Sequence, residues 1–269
     1  MKKLAVVGFL LASIIACGDE GEEFVGLETR DTTDVEPIIN GEPASSFTVA
    51  RQGIIFVDGS FVCGASYLGR VNGKFWVLTA AHCFDGRPAS RDIKIGFGKR
   101  SRFDYGPDAL VSVVGNPVIH PRYQPGGFVW DFALVRVDRQ PPGARSVSLG
   151  SRDVRPNERV RVSGFGAKED GFFSETVLQA EVAALSDNRC EQLFAESVGD
   201  VEIDPSQLCT IDVSRDSGIC FGDSGGPLLR RNGEIAGVAS FVVGPCRVDV
   251  PNGWARVSAA RDWIRQRIR

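Results

Sequence analysis

Two series of short apolar runs set the fold class. The first is Ile54–Val57, Phe61–Leu68, Phe75–Leu78, Ile93–Phe97, Leu110–Val114 and Phe132–Val137. The second is Val160–Gly164, Val177–Ala184, Gln207–Ile211, Pro227–Leu229, Ile235–Ser240 and Gly253–Val257. Glycine, proline and asparagine separate the runs, and strands punctuated in this way predict antiparallel barrels rather than βαβ units. Pro141-Pro142-Gly143 and Pro156-Asn157 mark a crossover between the two series at about residues 140–157. The expected fold is all-β: two antiparallel six-stranded barrels with a cleft between them and a C-terminal helix over Ser258 to Ile268. Ala260, Trp263, Ile264 and Arg267 share one face of that helix, which is expected to pack on the second barrel.

The N-terminal end is of another kind. Lys2-Lys3 precedes a 12-residue stretch, Leu4 to Ile15, apolar apart from Gly8 and Ser13. A bilayer-spanning helix needs about 20 residues, so residues 1–16 read as a signal peptide. Ile14-Ile15-Ala16-Cys17 resembles the lipobox of bacterial lipoproteins, which implies lipidation of Cys17 and a membrane anchor in the bacterial cell envelope. Ordinary signal cleavage with an incidental cysteine is the competing reading. Residues 18–37 are polar and acidic and cannot bury enough surface to offset chain entropy; with Cys17 they are expected to form a disordered tether and propeptide. Residues 1–37 carry three basic and eight acidic side chains, a net of −5, so the rest of the chain holds +2 of a total of −3. No concentrated basic stripe points to nucleic acid. The short run Lys99-Arg100-Ser101-Arg102 reads as a solvated loop.

Chemistry concentrates in Gly218-Ile219-Cys220-Phe221-Gly222-Asp223-Ser224-Gly225-Gly226-Pro227. Its glycines permit a tight exposed turn, on which a serine hydroxyl and converging amide N–H groups can face one ligand. A serine nucleophile needs a base oriented by a carboxylate. The chain has two histidines, and His82 lies in Thr79-Ala80-Ala81-His82-Cys83, with Asp131 in Trp130-Asp131-Phe132-Ala133-Leu134-Val135. These three segments, in this order, resemble the signatures of trypsin/chymotrypsin-like serine proteases, and the resemblance covers roughly Ile38 to Arg269. It implies a peptidase domain at 38–269 that hydrolyses protein or peptide substrates, with His82, Asp131 and Ser224 as the catalytic triad. The N–H groups of Gly222 and Ser224 would form the oxyanion hole. No metal or other cofactor is required. His120 matches no catalytic segment and is expected to be structural.

The same resemblance implies activation by an external protease. A cut before Ile38 would free an ammonium to pair with Asp223 and order the oxyanion loop. Pro37 stands where many animal members have Arg or Lys, which argues against self-activation or a trypsin-like activator. The implied disulfides are Cys63–Cys83, Cys190–Cys209 and Cys220–Cys246. These need an oxidising, extracytoplasmic compartment and leave Cys17 as the odd one of seven. The specificity pocket is expected to comprise Gly218, Ile219, Ser240, Phe241, Val242 and Asn252. Gly218 falls where trypsin-like members hold aspartate, while Val242 and Asn252 intrude from the walls, an elastase-like arrangement for Ala or Val. Two alternatives stay open: trypsin-like specificity through Asp216 if its loop were bulged, and a catalytically silent binding module or locked zymogen.

Overall fold

Tight turns fix the register of the first sheet. After strand β1 (Glu42–Pro43) and a single helical turn α1 (Ser46–Val49), the chain runs through β2 (Gly53–Val57), β3 (Ser60–Val71) and β4 (Lys74–Thr79). Asp58-Gly59 joins β2 to β3 with φ of 50° and 79°, and Asn72-Gly73 joins β3 to β4 with 49° and 79°. Left-handed backbone at both central residues makes two-residue hairpin turns whose twist matches that of the strands. Val57 therefore opposes Ser60, and Val71 opposes Lys74. Strands β5 (Ile93–Phe97), β6 (Leu110–Ser112), β7 (Val118–Ile119) and β8 (Ala133–Val137) complete a seven-stranded antiparallel sheet in the order β6-β5-β2-β3-β4-β8-β7. The sheet curls until Val113 bridges Val137 and the Val114 N–H donates to the Arg136 carbonyl at 2.8 Å.

The computed structural model describes residues 38–86, 92–168, 170–214, 216–244 and 246–269. The expected signal peptide, the tether and propeptide, and Cys17 lie outside the described residues. Beyond β8 come β9 (Ser148–Leu149), β10 (Arg159–Gly164), β11 (Leu178–Ala184), helix α2 (Asp187–Ser197), β12 (Gln207–Ile211), β13 (Pro227–Leu229), β14 (Glu234–Phe241), β15 (Asn252–Arg256) and helix α3 (Val257–Ile268). Six of these strands, in the order β11-β10-β13-β14-β15-β12, close on themselves where Ala183 and Ala184 of β11 pair with Ile211 and Thr210 of β12. Closure removes the free edges. The two barrels thus close differently, the second through a strand ladder and the first through an isolated bridge.

Apolar strand residues fill both interiors. Ile55, Leu78, Ile95, Phe97, Val111 and Leu134 pack in the first barrel, and Val162, Leu178, Leu208, Leu228 and Trp254 in the second, each almost wholly buried. The indole N–H of Trp254 is satisfied there by Thr210 Oγ1 at 2.9 Å. Close inter-barrel packing relies on glycine: a Cβ on Gly64 of β3 would lie 2.8 Å from the Gly226 Cα.

Three sequence expectations change. Helix α2 was not anticipated. Ser186 caps it by accepting from the Arg189 N–H, and Cys190, Leu193 and Phe194 form its buried face, a pattern that lay in the sequence between two strand runs. In α3, Ala260 and Ile264 are fully buried, Trp263 is half-buried and Arg267 is exposed, so Arg267 leaves the packing face. This helix does not rest on the second barrel alone, because Trp263 meets the ring of His120 from the first barrel edge-on at 4.6 Å. His120 also stacks on Trp130 at 4.6 Å, and its pKa falls to about 4 through burial and the neighbouring Arg122 charge. That setting is structural. Finally, the basic run is more than a solvated loop: Arg100 Nη1 donates to the Ala44 carbonyl, and Ser101 bridges Thr176 beside the second barrel.

Candidate active site

A buried carboxylate organises the cleft. Asp131 stands just before β8, has no exposed surface and accepts from both barrels. The His82 N–H reaches Oδ1 at 2.9 Å, and His82 Nδ1 lies 2.7 Å from Oδ2. From the second barrel, the Ser240 hydroxyl donates to Oδ2 at 2.5 Å. Because a carboxylate only accepts, Nδ1 carries the proton and the other ring nitrogen of a neutral His82 is left as an acceptor. His82 itself opens a single turn of 3-10 helix, His82–Phe84, at the end of β4. The Cys63–Cys83 disulfide ties that turn to β3. Phe128 covers the imidazole edge-on at 5.6 Å and stacks on Phe241 at 5.8 Å.

The serine turn is pressed against the same strands. The Gly64 N–H of β3 donates to the Ser224 carbonyl at 2.7 Å, and the Gly225 N–H to the Ala239 carbonyl of β14 at 2.8 Å. A side chain on Gly225 would collide with Thr79 Oγ1 and the Gly64 carbonyl, so only glycine fits. Thr79 lies three residues before His82, which brings Ser224 alongside the strand end that carries the histidine. Gly222 adopts φ of 93°, a conformation natural to glycine. Among the described residues, neither the Gly222 N–H nor the Ser224 N–H has an acceptor. Two unpartnered donors two positions apart can together bind a single anionic oxygen.

Asp223 points the other way, into the second barrel, and is fully buried. Its carboxylate accepts from the Gly166 N–H at 2.8 Å and the Cys220 N–H at 2.9 Å. Side chains on Gly164 or Gly166 would collide with it. Burial raises its pKa to about 7 despite those two donors. Ile38 is completely buried in the core of the same barrel, and Ile39 bridges Gly218.

Of the residues expected to line a pocket, Gly218, Ile219 and Asn252 come together, while Phe241 packs on Phe128 and Phe194. Asn252 on β15 is buried, and its Oδ1 accepts the Ile219 N–H at 3.0 Å. A Cβ on Gly218 would lie 2.9 Å from that oxygen and 3.5 Å from Val248. Ile219 is buried, and Val242 is half-buried against the cluster of Ile39, Ala167, Cys220 and Cys246. Ser240 has a second role that the sequence did not reveal, as the third hydrogen-bond donor to Asp131 after the two groups of His82. Asp216 is exposed: its carbonyl accepts from Asn40 and its carboxyl is pushed up mainly by the adjacent Asp212. The remaining bridges are Cys190–Cys209 and Cys220–Cys246. Phe128 was also missed, since one aromatic in a glycine-rich loop carries no signal of its own.

The Asp223 environment has a measurable consequence in the chain uncut before Ile38. Its carboxyl titrates near 3.8 when unfolded and near 7 when folded. Between those values the folded chain keeps a proton that the unfolded chain has released, so stability falls as pH rises from about 4 to 7 and levels off above. Its share of the slope is at most about 1.4 kcal/mol per pH unit. Urea midpoints across this range should show Asp223→Asn lacking that component; identical slopes in the two proteins would refute it.

Comparison with known proteins bears on the whole of this architecture. A family model described as Trypsin matches residues 38–264. Transmembrane protease serine 11E of Mus musculus is 28% identical over 237 residues, covering 84% of this chain and 53% of that protein. Transmembrane protease serine 11G of Rattus norvegicus is 28% identical over 240 residues, covering 86% and 55%. Kallikrein-4 of Homo sapiens is 28% identical over 236 residues, covering 86% and 87%. The chain thus spans about half the length of the two transmembrane relatives. Among the described residues no helix is long and apolar enough to cross a membrane. With a match that runs through both barrels and the cleft they share, this chain belongs to the Trypsin family.

Proposed function

We propose that the chain is an exported serine endopeptidase with His82, Asp131 and Ser224 as its triad. The observation that carries this reading is the Asp131 carboxylate, which holds both the backbone and Nδ1 of His82 beside the serine turn. Ser224 Oγ attacks the scissile carbonyl carbon while the free ring nitrogen of His82 takes the hydroxyl proton. Asp131 stabilises the imidazolium that forms. The oxyanion accepts from the Gly222 and Ser224 N–H groups, where losing one donor typically costs about 10²–10³ in turnover. Collapse expels the amine, which receives the proton from His82, and leaves an acyl-enzyme. Water then repeats the sequence and frees the acid. A cut before Ile38 would place an ammonium against Asp223, draw its pKa down and erase the pH slope described above.

Ser224→Ala should keep the fold and lower peptidase turnover by on the order of 10⁶. A fluorophosphonate should label the wild type and not this variant. Labelling that persists would move the nucleophile elsewhere, and a wild type that never labels, cut or uncut, would favour a silent binding module.

For specificity we propose small aliphatic residues before the scissile bond. Gly218 offers no charge, Asn252 packs against it, and Asp216 is exposed beside Asn40, which supports a pocket without a carboxylate. Lys or Arg would be desolvated there without a partner, at a cost of several kcal/mol. Peptide libraries should select Ala and Val, and Val242→Gly should admit Leu and Phe. A profile dominated by Arg and Lys would overturn this.

The export reading rests on residues 1–16 and on Cys17, left over once three bridges form. Fatty-acid labelling should appear on the wild type and vanish in Cys17→Ser; its absence from both would remove the lipid anchor.

A further inference from the structure

Just beyond β10, residues 166–168 and 170–174 lie beside each other, the Ser174 N–H donating to the Gly166 carbonyl at 2.9 Å and Ala167 bridging Phe173. They touch three consecutive residues of the serine turn. The Gly166 N–H holds the Asp223 carboxylate. The Ala167 N–H donates to the Phe221 carbonyl at 2.7 Å. The Phe173 ring lies on Gly222, where an added Cβ would meet Phe173 Cε1 at 2.8 Å and Phe61 Cε1 at 3.1 Å.

These contacts act on one peptide plane. The Phe221 carbonyl and the Gly222 N–H belong to the same trans peptide and point in opposite directions. Fixing the carbonyl on Ala167 aims the N–H away from Ala167. One bond still leaves the plane free to rock about it, and Gly222 has no side chain of its own to resist. The resistance comes from outside, since two aromatic edges bear on Gly222. Their rings meet at right angles, Phe61 and Phe173 lying 5.3 Å apart at 79°. Behind them Phe61 packs on the buried Phe165 at 6.3 Å, and Phe165 on Tyr105 at 6.5 Å. The support is therefore anchored in both barrels, through Phe61 on β3 and Phe165 just after β10.

We infer that Phe173, backed by Phe61, is a positioning residue that holds the Gly222 N–H in line for the oxyanion. This rests on the proposed role of Gly222 and adds residues that neither the sequence motifs nor the triad geometry singled out. Phe173 is 41% exposed, so its ring contributes little to the core while it restrains the turn. Loss of the ring lets the donor wander, and small misplacements of a catalytic group are costly in rate.

The test uses the full chain in the state in which the wild type labels with a fluorophosphonate. Phe173→Ala should lower kcat about 10- to 100-fold with KM within about twofold, since the contact matters only once charge develops on the oxygen. Inhibition by a peptide aldehyde, whose adduct places an oxyanion at the same N–H, should weaken by the same factor. Phe173→Tyr should restore both to within about twofold, and Phe61→Ala should reproduce the defect in weaker form. An unchanged kcat, or a raised KM at constant kcat, would overturn the inference while leaving the peptidase reading intact. A wild type that neither labels nor turns over would remove both.

Discussion

A carboxylate with no access to water is costly unless every lone pair it exposes meets a donor. Asp131 meets that condition through groups drawn from both barrels, so the barrels cannot slide past each other without stranding a charge. His82 is thereby fixed in ring orientation and tautomer by one partner. Ser240, a residue of the opposite barrel, makes the fixing depend on correct docking. The cleft is therefore as much a stability constraint as a chemical one, and its geometry is over-determined from two sides.

The second constraint is spatial. Gly64, Gly225 and Gly226 let strand β3 and the serine turn approach at backbone distance, while Gly164 and Gly166 make room for the Asp223 carboxylate. Two carboxylates 92 positions apart in sequence thus sit on opposite sides of one turn in different settings. Asp131 has a histidine to hold. Among the described residues Asp223 meets two backbone N–H groups, and burial pushes it toward neutrality. The intervening turn, residues 220–225, takes its shape from both sides at once. Its outer face is covered by aromatic rings where its own glycine offers nothing to pack.

Much of this was legible in the sequence. Strand positions followed from turn residues and apolar runs because hairpin chemistry is local: Asp58-Gly59 and Asn72-Gly73 can scarcely do anything but turn. Three motif segments were readable because each carries an uncommon residue combination. What failed to show shares a different property. The Ser240 bond to Asp131 joins positions 109 apart, and no local pattern distinguishes a serine that will meet a carboxylate from one that faces solvent. Phe173 looked like any exposed aromatic beside Phe172, since its partner Gly222 is a bare backbone. The α2 helix was hidden by its surroundings: a short amphipathic segment between strands reads as a loop until its cap and buried cysteine are placed together. Arg267 was misassigned because the packed stripe passes from Ile264 to Ile268, and Arg267 beside it turns to solvent.

The distance between Asp131 and Ser240 in the chain also governs when the site comes into being. Contacts so far apart in sequence form late, after loop closure has been offset by much of the remaining packing. On the proposed chemistry, a nascent copy in which one barrel has closed and the other has not would have no ordered serine turn against its histidine and would be inert. Partly folded siblings, with their strands still exposed, would then meet no active neighbour among molecules at the same stage. A protease assembled this way keeps its cutting activity out of its own folding ensemble, through the order in which its hydrogen bonds can form.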